Sequence, residues 1–300
     1  MIYTLTLNPA VDYVTHVEKL KVGNILRSNN ENVFFGGKGI NVSAVLHEHG
    51  IQSVAMGFLA GFTGKAIEDG LTQKGIQNDF VYLEKGFTRI NIKIRSDQET
   101  DINGIGPKIS DTDFKILSEK LKKLKDGDIL VLAGSIPGTL PKDTYEKIMA
   151  SLSDKKINFV VDAAGELLVN ALKYRPFLIK PNTDELGEIF STKVETVEDA
   201  AKYALRLQEK GARNVLVSMG ADGAFLLDQT GRKHYMQAFE GNVVNTVGAG
   251  DSMVAGFIAG YEKTRDFEYA MKVGTASGSA TAFSEGLADI DTINSILKKM

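Results

Sequence analysis

The chain has no cysteine, no tryptophan and only 6 prolines in 300 residues. The lack of cysteine excludes disulfides, thiolate nucleophiles, iron–sulfur clusters and cysteine-type zinc sites together. Neither sign of charge is in excess: 35 Lys and Arg against 38 Asp and Glu leave a formal net charge of −3. That balance does not favour a polyanionic partner, so no nucleic acid is expected. Long hydrophobic runs are also missing. The first apolar run, Ile2 to Leu7, is short and has no basic segment before it. Neither a signal peptide nor a membrane anchor is therefore expected, and the expected location is the cytoplasm. With 43% hydrophobic and 24% charged residues, the composition is that of an ordinary globular chain able to bury a sizeable core.

Glycine is abundant, with 30 residues in 300, above the usual ~7%. Many are clustered: Gly36-Gly37-Lys38-Gly39, Gly104 with Gly106, Gly220 with Gly223, and Gly248-Ala249-Gly250. Glycines gathered just before a helical pattern mark places where something approaches the backbone.

Short β-branched or apolar runs alternate with stretches of helical period. Ile2 to Leu7, Ser53 to Phe58, Ile129 to Ala133, Asn158 to Asp162, Phe177 to Lys180 and Asn214 to Ser218 read as buried strands. Ile40 to His49, Asp113 to Lys125, Thr144 to Leu152, Val197 to Lys210 and Asp251 to Glu262 read as helices. This alternation predicts an α/β fold: an open, mostly parallel sheet with helices on both faces. Two segments break the rhythm, about 12–35 and 87–106. The second holds the alternating run Arg89-Ile90-Asn91-Ile92-Lys93-Ile94-Arg95, and its period of two implies a small sheet with one wet face, projecting from the body as a lid. With neither linker nor repeat, one domain over 1–300 carrying this lid is expected. Unpaired edges of lid strands invite a homodimer.

The most informative stretch is Asn245-Thr246-Val247-Gly248-Ala249-Gly250-Asp251, a glycine-rich turn opening an apolar helix. Free amides of Gly248, Ala249 and Gly250 at a helix start suit phosphate oxygens. Asp251 beside them could accept a proton from a hydroxyl attacking a phosphoryl group, or it could simply cap the helix. In Phe35-Gly36-Gly37-Lys38-Gly39-Ile40-Asn41, Lys38 and Asn41 lie on one face of a first helical turn. There they could grip a polar, anionic small molecule, or be a solvated lysine and a backbone-bonded asparagine. Neither stretch is a standard nucleotide fingerprint. Gly64-Lys65 is followed by Ala66 rather than Ser or Thr, and Met253 stands where Gly248-Ala249-Gly250 would need a third glycine. P-loop NTPases and NAD-dependent dehydrogenases are thereby disfavoured.

Gly36 to Asn41 and Asn245 to Asp251 resemble the two signatures of the ribokinase-like (PfkB) carbohydrate kinases, and the resemblance runs from Thr4 to the final helices. Leu7 to Asp12, Thr88 to Lys93 and Glu99 to Pro107 are similar to the branch that phosphorylates fructose 1-phosphate. The resemblance implies ATP-dependent transfer to the 6-hydroxyl of D-fructose 1-phosphate, giving fructose 1,6-bisphosphate and ADP. Tagatose 6-phosphate is the alternative substrate, and a non-catalytic sugar-phosphate binder on the same fold is the alternative class. The family's positions carry over one by one. Asp251 falls at the catalytic base and Gly248, Ala249 and Gly250 at the anion hole. Asp12, Gly37, Lys38 and Asn41 fall where the sugar is held, with Arg89, and less directly Arg27, on its existing phosphate. Lys180, Asn182, Ser218, Gly220 and Gly223 fall at the nucleotide, and Glu185 at Mg²⁺ through water. Gly274 to Ala280 resembles the small-residue helix that passes the adenine; read alone, it is a closely packed helix. Asn245 stands where many members carry Asp, which gives no support to a K⁺ requirement.

Other features point to no site. On a helix His47 and His49 point about 200° apart, and His16 and His234 stand alone. The basic run Lys120 to Lys125 carries two leucines that fit an ordinary amphipathic helix.

Overall fold

The computed structural model describes residues 1–298. The first third runs β1 (Ile2–Thr6), β2 (Ala10–His16), β3 (Asn30–Gly36), α1 (Lys38–Glu48), β4 (Ser53–Ala60), α2 (Gly61–Gln73), β5 (Gln77–Asn78), β6 (Val81–Leu83), β7 (Arg89–Arg95) and β8 (Thr100–Ile102). Next come α3 (Asp111–Leu121), β9 (Ile129–Ala133), α4 (Thr144–Ser151), β10 (Asn158–Asp162), α5 (Gly165–Ala171), β11 (Leu178–Ile179), α6 (Thr183–Phe190) and α7 (Val197–Glu209). The chain then forms β12 (Asn214–Ser218), the hairpin β13 (Ala224–Leu227) and β14 (Lys233–Met236), and helices α8 (Ala249–Thr264), α9 (Phe267–Ala282) and α10 (Ile290–Leu297).

The main sheet has the order β14-β13-β12-β11-β10-β9-β1-β4-β5, with β6 also paired to β4. From β12 to β5 every pairing is parallel, and β13 and β14 add an antiparallel margin. All five residues of β9 are buried, as expected of a parallel strand covered on both faces, which reads as an unbroken apolar run. Alternate residues of β9 enter opposite cores. Leu130 and Leu132 pack with Leu117, Tyr145, Leu168 and Leu207, whereas Ile129, Val131 and Ala133 pack with Val42, Val254, Phe257 and Ile293. Thus α3, α4, α5 and α7 cover one face, and α1, α8, α9 and α10 cover the other. The expected strand at Phe177 to Lys180 shrinks to two residues because Pro176 and Pro181 bracket it and cannot donate to the ladder.

A separate four-stranded sheet, β3-β2-β7-β8, forms the lid. Strand β2 pairs antiparallel with β3 and parallel with β7, while β7 pairs antiparallel with β8. The outer face departs from the expected wet surface. Register places Val33, Tyr13, Ile92 and Ile102 in one row across all four strands, and Val33, Ile92 and Ile102 are exposed. Helices α8 and α9 pack backbone to backbone: a Cβ added at Gly274 would sit 2.8 Å from the Met253 carbonyl oxygen, and one at Gly256 would sit 2.7 Å from that of Val273. The run Gly274 to Ala280 is thus closely packed against α8. No helix among the described residues is long and apolar enough to cross a membrane.

Candidate active site

The C-terminal edge of the parallel strands is where ligands sit in open α/β sheets, because loops and helix starts converge there. A cavity of about 520 Å³ lies at that edge, walled by β1, β2, β7, α1, α6 and α8 with their flanking loops. Thr6, Asn8, Asp12, Gly37, Lys38, Asn41, Arg89, Asn91, Lys180, Asn182, Glu185, Ser218, Gly248, Gly250 and Asp251 line it. Another cavity, about 580 Å³, lies at the opposite edge and is lined by residues such as Ile51, Ala259, Val273 and His49. Burial, followed by the charge of Lys263, lowers the pKa of His49 to about 4. The chemically equipped cavity is the smaller one.

Helix α8 is preceded by its cap residue Gly248, whose φ of +83° is a left-handed conformation that a side chain would strain. Asp251 lies within the first turn and is not the cap; its Oδ2 accepts a hydrogen bond from Asn41 Nδ2 at 2.7 Å. Asp251 is only 5% exposed. Burial, then the nearby Asp162 charge, pushes its pKa up from 3.8 to about 7, against the pull of Lys38, Asn41 and Lys180. A carboxylate tuned there is half-ionised near neutrality, where a general base is most useful. The anion cradle differs in one detail from expectation. The Ala249 amide donates to the Thr246 carbonyl at 3.2 Å, and Ala249 does not line the cavity. Gly248 and Gly250 do line it, and their amides bond to no other backbone group among the described residues.

Helix α1 starts against β1, where the Ile40 amide is satisfied by Thr6 Oγ1 at 3.0 Å. This seating places Lys38 and Asn41 in the cavity wall together. Lys38 Nζ donates to Asp162 Oδ1 at 3.1 Å. Burial alone would lower the pKa of Lys38, but the charges of Asp162 and Asp251 raise it overall, so the ammonium persists. Asp162, at the end of β10, is fully buried. Burial disfavours its charge, yet Lys180 and Lys38 hold its pKa below the ordinary value.

The lid supplies the other end. Asp12 Oδ1 accepts from Asn91 Nδ2 at 2.7 Å, and Asn91 Oδ1 accepts from the Gly104 amide at 3.2 Å. Arg89 Nη2 donates to the Asn8 carbonyl at 3.0 Å, while its buried Nε has no partner among the described residues. Burial lowers the Arg89 pKa, opposed by Asp12. Arg27 is exposed in the loop between β2 and β3 and does not line the cavity.

On the remaining wall, Asn182 and Glu185 form a reciprocal capping box at the start of α6, with bonds of 2.7 and 2.9 Å. Ser218 lines the cavity and bridges to Asn182. Gly220 and Gly223 shape the turn after β12 and lie outside the lining. Among the described residues, no group of three His, Asp or Glu could hold a metal by itself. A lone cavity-wall carboxylate such as Glu185 suits Mg²⁺ carried on phosphate groups, because that ion keeps most of its ligands as water and phosphate.

Sequence reasoning missed Asp162, Asn8, Asn91 and Thr6 as site residues. A signal existed for the first. Asp162 follows the apolar run Phe159-Val160-Val161 at the C-terminal end of a buried parallel strand, where a charge has no structural reason to be. Asn91 shares the period-two face of Arg89.

A parallel sheet with a buried near-neutral carboxylate at a glycine-rich helix start, facing lysines and a lid arginine, defines a phosphoryl-transfer enzyme of the sugar-kinase class. Residues 5–293 match the family described as pfkB family carbohydrate kinase, and the chain belongs to that family. It is 48% identical to the 1-phosphofructokinase of Bacillus subtilis over 300 residues, 100% of this chain and 98% of that protein. It is 38% identical to the D-tagatose-1-phosphate kinase of Bacillus licheniformis, over 98% of this chain and 96% of that protein. Among solved structures, Escherichia coli phosphofructokinase-2 in complex with fructose-6-phosphate superposes with a TM-score of 0.91 at 27% identity, covering 99% of this chain and 98% of that one.

Proposed function

We propose that the protein transfers the γ-phosphoryl group of ATP to the 6-hydroxyl of D-fructose 1-phosphate, giving fructose 1,6-bisphosphate and ADP in cytoplasmic fructose catabolism. The observation that carries this reading is the Asp251 carboxylate, hydrogen-bonded by Asn41 beside the open amides of Gly248 and Gly250. Asp251 takes the proton of the 6-hydroxyl as its oxygen attacks the γ-phosphorus, and Asn41 holds the carboxylate in place. The helix-start amides accept charge that develops on the transferred group. Arg89 takes the phosphate the sugar already carries, while the Asp12 carboxylate and the Gly37 backbone contact its hydroxyls. Lys38 falls among the sugar-holding positions of the family, but the charges of Asp162, Asp251 and Glu185 act on its ammonium. We therefore assign it to the transferring end. Lys180, Asn182 and Ser218 lie along the nucleotide's phosphates, with the turn at Gly220 and Gly223 beyond them. Mg²⁺, near Glu185 through water, would neutralise phosphate charge.

The single domain closes over this site with its lid. The apolar row Val33, Ile92 and Ile102 supports a homodimer formed through the lid strands.

ADP release should be measured with fructose 1-phosphate, tagatose 1-phosphate and tagatose 6-phosphate. The highest kcat/KM is expected on fructose 1-phosphate. The tagatose-1-phosphate relative makes that sugar the second reading, and a higher kcat/KM on it would replace the first. Turnover on tagatose 6-phosphate alone would favour the other ketose branch, and no turnover on any of the three would leave a sugar-phosphate binder.

A further inference from the structure

Asp162 is fully buried and serves two cations with a single oxygen. Lys38 Nζ lies 3.1 Å and Lys180 Nζ 3.5 Å from Oδ1, while the buried Oδ2 has no partner among the described residues. An ion pair kept only for stability would satisfy both oxygens, because an unpaired buried carboxylate oxygen is unfavourable. The two lysines come from separate elements, Lys38 from the first residue of α1 and Lys180 from just beyond β11. Each reaches Asp162 past a glycine. The stem of Lys38 runs along Gly134, within 3.6 to 4.0 Å of where a Cβ would stand, and Lys180 Nζ lies 3.2 Å from a Cβ added at Gly250. Lys180 is thus held against the glycine-rich start of α8, Lys38 shares the first turn of α1 with Asn41, and the charges of both lysines act on Asp251.

We propose that Asp162 is a positioning residue for phosphoryl transfer, a buried counter-charge that fixes the ammonium groups of Lys38 and Lys180 at the mouth of the amide cradle. The assignment rests on the kinase reading above. Two lysines and one aspartate leave one net positive charge at this place. Each ammonium has donors beyond the one spent on Asp162, and both lysines line the cavity in which the transferred group would gather negative charge. Without the carboxylate, two like charges close together would repel and drift apart. Displacements of about 1 Å at a reacting centre can reduce turnover by about 10²-fold.

Asp162→Asn preserves size and one acceptor oxygen. Its kcat on fructose 1-phosphate should fall by about 10- to 100-fold, while the KM for the sugar phosphate changes by less than about threefold because Arg89 is untouched. The acidic limb of the pH–kcat profile should also move to lower pH, because Asp251 loses a negative neighbour. A merely structural role would lower Tm and leave the kcat of the folded protein unchanged. An unchanged kcat, or a sugar-phosphate KM that rises as much as kcat falls, would overturn the proposal. Should Asp162→Asn not fold, Asp162→Asn combined with Lys180→Met removes a charge of each sign, and Lys180→Met alone is its reference. The double variant should have a lower kcat than the reference because Lys38 also loses its partner, and equal kcat values overturn the proposal. Wild-type protein inactive on every ketose phosphate would instead remove the kinase reading itself, so the two failures are distinct.

Discussion

Replacing Asp251 by Asn should trade activity for stability, and the size of the trade depends on pH. The carboxyl has an ordinary pKa of 3.8 and is pushed to about 7 in the fold by burial and by Asp162. Folding therefore favours the protonated form. Stability is greatest below about pH 4, where folded and unfolded states both carry the proton, and declines as pH rises to about 7. Three pKa units at 1.36 kcal/mol each put the penalty of the ionised group at about 4 kcal/mol by pH 8, and at roughly half that at pH 5. The substituted side chain would carry no charge at either pH, and its amide oxygen can still accept from Asn41. For a chain of this size the Tm of Asp251→Asn should exceed that of wild type by about 5 to 8 °C at pH 8, and by about half as much at pH 5. Calorimetric melts at the two pH values read this directly. The same variant should lose about 10² to 10⁴ in kcat while still binding nucleotide. A Tm gain that does not grow with pH would refute the reasoning about the carboxyl's environment, and near-normal turnover would refute its role as base.

Arg89→Ala should raise the KM for the sugar phosphate far more than that for ATP, by roughly 10- to 100-fold if a charged hydrogen bond worth about 1.5–3 kcal/mol is lost; equal effects on both substrates would place this side chain elsewhere. Ile92→Glu puts a charge into the exposed row across the lid and should turn a sedimenting dimer into a monomer. A dimer that survives the substitution would move the interface off the lid.

The elements legible in the sequence were those whose cause is local. Strands β9, β10 and β12 fall where continuous apolar runs placed them, since a strand buried on both faces needs no pattern but hydrophobicity. Helix α2 escaped because Gly61, Gly64 and Gly70 dilute its helical period. The hairpin of β13 and β14 escaped because its apolar residues follow a turn already assigned to ligand binding. The site divides along the same line. Glycine-rich helix starts announce themselves within a few residues, so Lys38, Asn41 and Asp251 could be read before any fold was known. Asp162 leaves one local trace, a charge at the end of a buried strand, but its two partners are set only when α1 and the end of β11 converge on β10, a meeting that no local spacing records.

The backbone-to-backbone packing of α8 on α9 bears on how the enzyme can move. Gly256 and Gly274 let main chains touch, so the two helices cannot slide without a collision. Asp251 is therefore mounted on a stiff double beam and works like a fixed anvil. Motion during a catalytic cycle is then expected of the hammer side, the small sheet, and substitutions in the segments joining that sheet to the body should slow turnover without touching the chemistry.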